Sequence, residues 1–286
     1  MRQNEAALMP DARRRVQRWK SRRGGPARQW VRVCDSAAMT SIALVAARIA
    51  RARHTLVLTG AGMSAESGVP TFRDAQTGLW ARYRPEELAT PEAFRRDPPT
   101  VWRWYAWRRQ LVAAAQPNAG HRALAELARR VPLALVTQNV DGMHQRAGST
   151  DVICLHGDLF RNLCSVTRLP IDDAWIAAHA GEEPPPSPHH PEGYARPGVV
   201  WFGENLPQDA LDAAMDAARR CDVVLSIGTS GLVHPAAGLP GEAQRHGAWF
   251  AEINPERTVL SDAADVVVAD TAARALPVLV AALGKA

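Results

Sequence analysis

Residues 54–74 read HTLVLTGAGMSAESGVPTFRD, and this stretch decides the fold class. It begins with a short apolar run that is typical of a buried β-strand and ends in a glycine turn. Gly60 and Gly62 start the dinucleotide-binding pattern G-x-G-x-x-G/A. A long helix normally follows such a turn, but Gly68 and Pro70 interrupt it here. The stretch therefore predicts a nucleotide-binding turn that leads into a loop.

Apolar strand patterns alternate with helical patterns along the rest of the chain. Helices are predicted in residues 41–53, around 72–112, in 117–130 with Asn118 as the cap, before 221, and at the carboxyl end. Further strands are predicted in residues 132–142, 151–160, 199–204, 221–230, 248–256 and 264–270. This alternation favours an α/β fold, a Rossmann-like doubly wound parallel sheet with a small inserted domain and a helical module.

Most of these strands end in polar residues. The clusters are Gly60-Ala61-Gly62, Gln138-Asn139-Val140-Asp141, His156-Gly157, Gly228-Thr229-Ser230 and Asn254. In an open parallel sheet, ligands bind outside the carboxyl ends of the strands. We therefore expect these clusters to meet in one crevice.

The glycine turn does not belong to a dehydrogenase-type unit. Such a unit carries an acidic residue at the end of a second strand, about twenty positions on, to hold the ribose. Here that distance falls in a region rich in Trp and Arg that has no strand pattern. We expect the backbone N–H groups of residues 60–62 and the Ser64 hydroxyl to approach a pyrophosphate. The interrupted helix then forms a loop over the cofactor, with Phe72 and Arg73 against its ribose.

The basic charge of the chain belongs to its first 38 residues. The 286 residues carry a net charge of +5, but residues 1–38 hold ten Lys or Arg and three Asp or Glu, a surplus of +7, and the remainder carries −2. The body, residues 39–286, therefore offers no basic face for nucleic acid. For the tail three interpretations stay open: a disordered or mis-assigned leader with initiation at Met39, a partner-binding or nucleic-acid-binding arm, and a transit peptide.

The cysteines and the apolar runs set the cellular context. Cys34, Cys154, Cys164 and Cys221 are widely spaced and suggest neither a disulfide framework nor a complete metal-binding set. A reducing cytoplasm is the default expectation. No run of apolar residues is long enough to predict a membrane span. The scarcity of Lys beside abundant Arg indicates a bacterial source, and we expect a monomer.

Five motifs, in order, resemble the sirtuins, the Sir2-type NAD-dependent protein deacylases. They are GAGMSAESGVPTFRD, TQNVDGMHQRAG, LHGDLF, RPGVVWFGE and GTS, and the resemblance runs from about residue 41 to 283. It implies that an acyl-lysine oxygen attacks C1′ of the nicotinamide ribose, that nicotinamide leaves, and that the acyl group ends on ADP-ribose. It also implies His156 as general base, and an imidazole suits this task because its ordinary pKa lies near working pH.

The same resemblance assigns the remaining cofactor and catalytic residues. Asn139 and Asp141 are implied to act with His156 in catalysis. The implied NAD contacts are Gly60, Ala61, Gly62, Ser64, Glu66, Phe72, Arg73, Gln138, Asn139, Asp141, Gly228, Thr229, Ser230, Asn254 and Ala272.

Tyr105 and Arg108 indicate the type of acyl group. Residues three apart share a helix face, and a guanidinium with a phenol can hold a carboxylate. The pair resembles the signature of the desuccinylase-type, class III sirtuins, which implies removal of succinyl or malonyl groups and possibly acetyl. The alternative is a solvated charged helix face in an Arg-rich chain. Val200, Trp201 and Phe202 resemble one wall of the lysine tunnel.

The chain departs from the family where most sirtuins bind a structural zinc. Two Cys-x-x-Cys pairs supply the four ligands in most sirtuins. Here the first pair reads Cys164-Ser165-Val166-Thr167, with Thr167 at the second ligand position, and the second pair falls on Pro188 and Pro191. With three of four ligands missing, structural zinc is doubtful, although His189 and His190 lie nearby. The insertions that form the small domain are expected at about 72–112 and 159–198.

Two other functions remain open at this point. One is an ADP-ribosyltransferase or NAD glycohydrolase, which cleaves NAD without an acyl-lysine. The other is a non-catalytic module that binds NAD or acyl-lysine.

Overall fold

The structure is a computed structural model that describes residues 28–69 and 84–284. The chain divides into a unit of residues 1–37, of which only the start of the first helix is described, and a unit of residues 38–286. The helices are α1 Arg28–Ile49, α2 Pro85–Leu88, α3 Pro91–Arg96, α4 Pro98–Ala114, α5 Ala119–Arg130, α6 Met143–Arg146, α7 Asp173–Ala178, α8 Gln208–Arg220, α9 Leu239–Arg245 and α10 Ala272–Ala282. The strands are β1 Thr55–Thr59, β2 Leu133–Thr137, β3 Ile153–Cys154, β4 Gly157–Cys164, β5 Pro170–Ile171, β6 Ala195–Val199, β7 Val223–Ile227, β8 Trp249–Ile253 and β9 Val266–Val268.

The larger sheet confirms the predicted doubly wound fold. Within the described residues it has the order β3-β2-β1-β7-β8-β9, and every neighbouring pair is parallel. The chain runs outward from β1 through β2 to β3, then returns to β7 on the other side of β1. The carboxyl ends of β1 and β7 therefore flank the switch point where such sheets bind ligands.

Both faces of this sheet are covered by helices. Successive strand side chains point to opposite faces, so in β1 Val57 packs on one side and Leu56 and Leu58 on the other. The Val57 side is closed by α1, α5 and α10, and the opposite side by α8 and α9. All five residues of β1 are buried, which explains why Leu56, Val57 and Leu58 form a continuous apolar run rather than an alternating pattern.

The smaller sheet is antiparallel, with the order β5-β4-β6 in the described part of the chain. The helix α4 packs on β4 and β6 and thereby joins the helical module to this sheet. Arg109 on α4 donates to the Leu159 carbonyl oxygen at 2.7 Å and to Asn162 Oδ1 at 2.8 Å. These bonds fix α4, which carries Tyr105 and Arg108, against the small domain.

Two strand predictions are wrong. Residues 151–160 are not one strand, because β3 belongs to the parallel sheet and β4 to the small one, and Gly157, the first residue of β4, has a φ of +82° that only glycine adopts easily. Residues 199–204 do not form a strand either. The strand β6 ends at Val199, and Trp201 begins a turn in which its own N–H donates to the Glu204 carboxylate at 2.9 Å.

The first helix also differs from the prediction. It ends at Ile49 and begins at Arg28, whereas the predicted helix covered residues 41–53. The reason lies in the sequence, because no proline or glycine interrupts residues 27–59. Residues 1–27 of the tail lie outside the described residues. No described helix has the length and apolarity needed to cross a bilayer.

Candidate active site

The glycines of the two central turns pack directly against each other. A Cβ at Gly62 would lie 2.8 Å from the Gly228 Cα, and one at Gly228 would lie 2.4 Å from the Met63 nitrogen. Gly228 also has a φ of +59°. The N–H of Gly60 donates to the Ile227 carbonyl at 3.0 Å and that of Gly62 to the Gly228 carbonyl at 2.8 Å. Two of the N–H groups expected to face a pyrophosphate are therefore engaged in joining the turns after β1 and β7.

Ser64 is the centre of a buried hydrogen-bond network below these turns. Its hydroxyl donates to Asp141 Oδ2 at 2.6 Å, so its oxygen is free to accept from Asn139 Nδ2 and His121 Nε2, both at 3.3 Å. The Asn118 N–H donates to His121 Nδ1 at 3.3 Å, which places the imidazole proton on Nε2. Burial lowers the pKa of His121 to about 3, so this ring is neutral at working pH.

The network decides which atoms of Asn139 and Asp141 can serve a ligand. The Asn139 amide nitrogen donates to the Gly60 carbonyl at 3.0 Å as well as to Ser64, so its oxygen is the atom left to accept a hydroxyl. Burial raises the pKa of Asp141, while hydrogen bonds from Ser64 and the Met143 N–H lower it. Both side chains are therefore held rigidly and present acceptors.

His156 has the tautomer that a general base requires. Its Nδ1 lies 2.9 Å from the Gln138 carbonyl oxygen, and a carbonyl only accepts, so Nδ1 carries the proton and Nε2 is the basic nitrogen. Burial lowers the pKa of His156, and the bond to Gln138 raises it again in part. The main chain of the same residue accepts from the Val200 N–H at 2.9 Å.

The predicted adenosine side is connected to this centre. Gln138 Nε2 donates to Thr229 Oγ1 at 3.1 Å, and Asn254 Nδ2 donates to the Thr229 carbonyl at 3.1 Å. The structure thus brings together the polar ends of β2, β7 and β8, as expected from the sequence. Ser230 follows Thr229 in the same turn and is half-buried.

Other predicted cofactor residues have roles in packing or lie elsewhere. Glu66 accepts from the Ala273 N–H at 3.2 Å in the first turn of α10. Ala272 is buried, and its carbonyl is 2.8 Å from the position of a Cβ at Gly120. Ala61 is exposed. Phe72 and Arg73 lie outside the described residues.

The helix α4 carries Tyr105 and Arg108. Asp97 caps the start of this helix by accepting from the Thr100 N–H at 3.1 Å. Tyr105 is 3% exposed, and its hydroxyl accepts from Trp201 Nε1 at 3.0 Å. Burial raises the pKa of Tyr105 to about 12 against the opposing charge of Arg108. Arg108 is half-buried, with its guanidinium carbon 5.2 Å from the centre of the Trp104 ring.

The three residues predicted to line the lysine tunnel face different environments. Val200 is half-buried beside His156, and Phe202 is 44% exposed. Trp201 instead points inward, with its ring 5.2 Å from that of Phe94. Trp201 thus touches Tyr105 rather than solvent.

The expected zinc positions hold one thiol. Burial raises the pKa of Cys164, but hydrogen bonds from Ser187 and Thr167 outweigh this and lower it to about 7. His189 Nε2 lies 2.8 Å from the Pro170 carbonyl, and His190 Nδ1 accepts from the Glu192 N–H at 3.1 Å. Across the described ranges, no cluster of three His, Cys, Asp or Glu side chains has the arrangement of a metal site. The residues present do not fit a tetrahedral zinc.

Three residues at the site were not predicted from the sequence: His121, Arg196 and Glu204. A signal for His121 exists, since a polar residue three positions after a cap is the partner of a capping box, which Asn118 and His121 form. For Arg196 and Glu204 the signal is a pair of opposite charges that flank an apolar stretch.

The comparison with known families places the chain. The profile described as the Sir2 family matches residues 60–235. The chain belongs to the Sir2 family.

Its relatives are similar over most of their length. A protein of Ralstonia nicotianae named NAD-dependent protein deacylase is 54% identical over 235 residues, which cover 82% of this chain and 93% of that protein. One of Pyrobaculum aerophilum named NAD-dependent protein deacylase 2 is 51% identical over 237 residues, with the same coverage. A Sir2 homologue solved with NAD is 46% identical with a TM-score of 0.77, covering 84% of this chain and 93% of that one. A mutant Sir2 homologue solved with 2′-O-acetyl ADP ribose is 47% identical with a TM-score of 0.76 and covers 84% and 95%.

Proposed function

We propose that this chain is an NAD-dependent protein-lysine deacylase whose acyl pocket favours groups that end in a carboxylate, such as succinyl and malonyl. Deacylation by means of NAD is supported by the family and by relatives that carry this name at about half identity. The observation that supports the acidic preference is the pair on α4, one phenol and one guanidinium a helical turn apart.

The chemistry of this pair suits a carboxylate. The Arg108 guanidinium stays positively charged even where burial lowers its pKa, because its ordinary pKa is far above working pH. Tyr105 keeps its proton, since its pKa is raised to about 12, and so can donate a hydrogen bond. A carboxylate between the two accepts charge-assisted bonds, whereas the methyl of an acetyl group accepts none.

We assign the chemical step to His156, Asn139 and Asp141. NAD, when bound, supplies the electrophilic ribose carbon to which the acyl oxygen adds. The unprotonated Nε2 of His156 is available to take a proton from a ribose hydroxyl. The Asn139 oxygen and the Asp141 carboxylate accept hydroxyl or cationic groups of the cofactor, and Ser64 holds both in place.

The test compares kcat/KM for succinyl-lysine and acetyl-lysine peptides of one sequence, in the parent and in Arg108→Met. Loss of a charge-assisted hydrogen bond of about 1.5–3 kcal/mol predicts a fall of roughly 10- to 150-fold for the succinyl peptide. The matched control is Arg103→Met on the same helix, whose guanidinium is exposed and donates to the Pro99 carbonyl. An Arg108→Met enzyme that keeps its preference for succinyl contradicts the pocket assignment.

The same assay separates the other NAD chemistries. A deacylase releases nicotinamide only when the acyl peptide is present, and a glycohydrolase or ADP-ribosyltransferase releases it without one. Equal release with and without peptide contradicts deacylation.

We also propose that the small domain contains no structural zinc. The support is the single thiol at Cys164, whose sulfur already accepts protein hydrogen bonds. Metal analysis of the purified protein is expected to find well under one zinc per chain, and one zinc per chain would overturn this.

A further inference from the structure

The direction of one buried hydrogen bond is fixed by chemistry. Trp201 Nε1 and the Tyr105 oxygen are 3.0 Å apart, and an indole nitrogen can only donate. The phenol oxygen therefore accepts, and the phenol's own proton must be directed elsewhere. Since burial raises the pKa of Tyr105 to about 12, that proton is retained at neutral pH.

The indole ring is clamped by a buried ion pair. The Arg196 guanidinium carbon lies 3.4 Å from the centre of the Trp201 ring, and Arg196 is 2% exposed. Glu204 accepts from both terminal nitrogens of Arg196, at 2.7 and 3.0 Å. It also accepts from the main-chain N–H of Trp201 at 2.9 Å. The ion pair thus contacts both the main chain and the ring face of Trp201.

The charged side chains around Trp201 also contribute a net charge. Arg168 donates to Glu204 at 2.7 Å, so the two guanidiniums and one carboxylate carry a net positive charge. A cation on the face of an aromatic ring draws on its π electrons, which makes the ring N–H a stronger donor. The net positive charge and the stronger N–H donor both favour binding of an anion next to the Tyr105 hydroxyl.

We propose that Trp201 is a positioning residue for acyl selection: its indole N–H holds the Tyr105 hydroxyl as a donor toward the acyl carboxylate bound at Arg108. This inference rests on the proposed function and deepens it. Trp201 touches no acyl atom and acts through Tyr105. A ring that served for packing alone would need only its contacts with Phe94 and Arg196.

The experiment removes the N–H and keeps an aromatic side chain at this position. In Trp201→Phe, KM for the succinyl peptide is expected to rise roughly five- to tenfold, the size of one lost hydrogen bond. The succinyl-to-acetyl ratio of kcat/KM is expected to fall by a similar factor. If this variant fails to fold, 3-benzothienylalanine in place of Trp201 keeps the two-ring shape and replaces the N–H with sulfur.

A double-mutant cycle tests whether the effect passes through the phenol. Once Tyr105→Phe has removed the hydroxyl, Trp201→Phe is expected to change the ratio by less than about twofold. The matched control is Trp175→Phe, whose indole donates to the Pro186 carbonyl at 2.9 Å in the small domain and is expected to leave the ratio unchanged.

The outcomes separate this inference from the proposed function. A fall in succinyl and acetyl activity by the same factor, or a full additional loss in the Tyr105→Phe background, overturns the role of Trp201 alone. A succinyl preference that Arg108→Met abolishes and Trp201→Phe leaves intact does so as well. A parent enzyme without succinyl preference overturns both.

Discussion

Two buried histidines beside the active site predict that this protein loses stability in mild acid. Burial lowers the pKa of His121 to about 3 and that of His144 to about 4, from an ordinary value of 6.5. Below pH 6.5 the two histidines therefore bind protons in the unfolded chain but not in the folded one. The stability is fully present above pH 6.5 and is lost progressively as the pH falls toward 4.

The size of the stability loss follows from the difference between the pH and the histidine pKa in the unfolded chain. At pH 5, about 1.5 pH units below the unfolded pKa, each histidine costs about 2 kcal/mol, and the pair about 4 kcal/mol. Domains of this kind are stable by about 5–15 kcal/mol, so the loss is a large share of the total. The raised pKa of the buried Asp141 acts in the opposite direction, because its carboxyl takes up a proton more readily when folded. The contribution of one histidine must therefore be isolated by mutation.

The assay is urea unfolding at pH 8 and pH 5 for the parent, His144→Gln and His121→Asn. Each replacement is expected to shrink the difference in the free energy of unfolding between the two pH values by about 2 kcal/mol, whatever its effect at pH 8. The control is His54→Asn at an exposed position, which should keep the parent's difference. If His144→Gln and His121→Asn keep the parent's difference as well, the two rings are not held neutral in the folded state and the reasoning fails.

Three further predictions concern the crevice. Gly228→Ala places a Cβ 2.4 Å from the Met63 nitrogen, so NAD binding by calorimetry should be lost and unfolding should become easier by at least about 2 kcal/mol; unchanged binding would show that the turns can separate. Because burial lowers the pKa of His156, the acid limb of kcat/KM against pH should fall below 6.5, and a limb above that value would point to another base. Ser64→Ala should lower kcat at least tenfold, or about 1.4 kcal/mol, by releasing Asp141, whereas a change in KM alone would limit Ser64 to cofactor binding.

The cofactor crevice could be predicted because its signals are local. Each cluster sits at the end of an apolar strand, and parallel strands bring their carboxyl ends to one edge. Gly60 and Gly228 could each be recognised as a turn residue from its own local sequence. Their mutual contact, which uses two N–H groups, could not be predicted, because it depends on the close approach of two turns that are far apart in the sequence.

The errors have the same origin. The patterns in residues 151–160 and 199–204 are apolar enough for strands, and local pattern alone cannot say where one sheet ends and another begins. In the first, the positive φ of Gly157 lets the chain leave the parallel sheet. In the second, Glu204 is engaged with Arg196, so its carboxylate also draws the Trp201 N–H into a turn.

Under the proposed function, this turn bears on acyl choice. Tyr105 lies on α4, but the donor that orients its hydroxyl comes from a segment 96 positions later, held by its own ion pair. A phenol and a guanidinium grafted onto α4 of a sirtuin without that donor would supply the charge of the pocket but not the direction of its second hydrogen bond. The phenol could then turn its proton toward any nearby carbonyl, and the graft would gain affinity for acidic acyl groups chiefly from Arg108. Under the proposed function, acyl selectivity therefore depends on two segments that are distant in the sequence and packed together, α4 and the turn after β6 that carries Trp201.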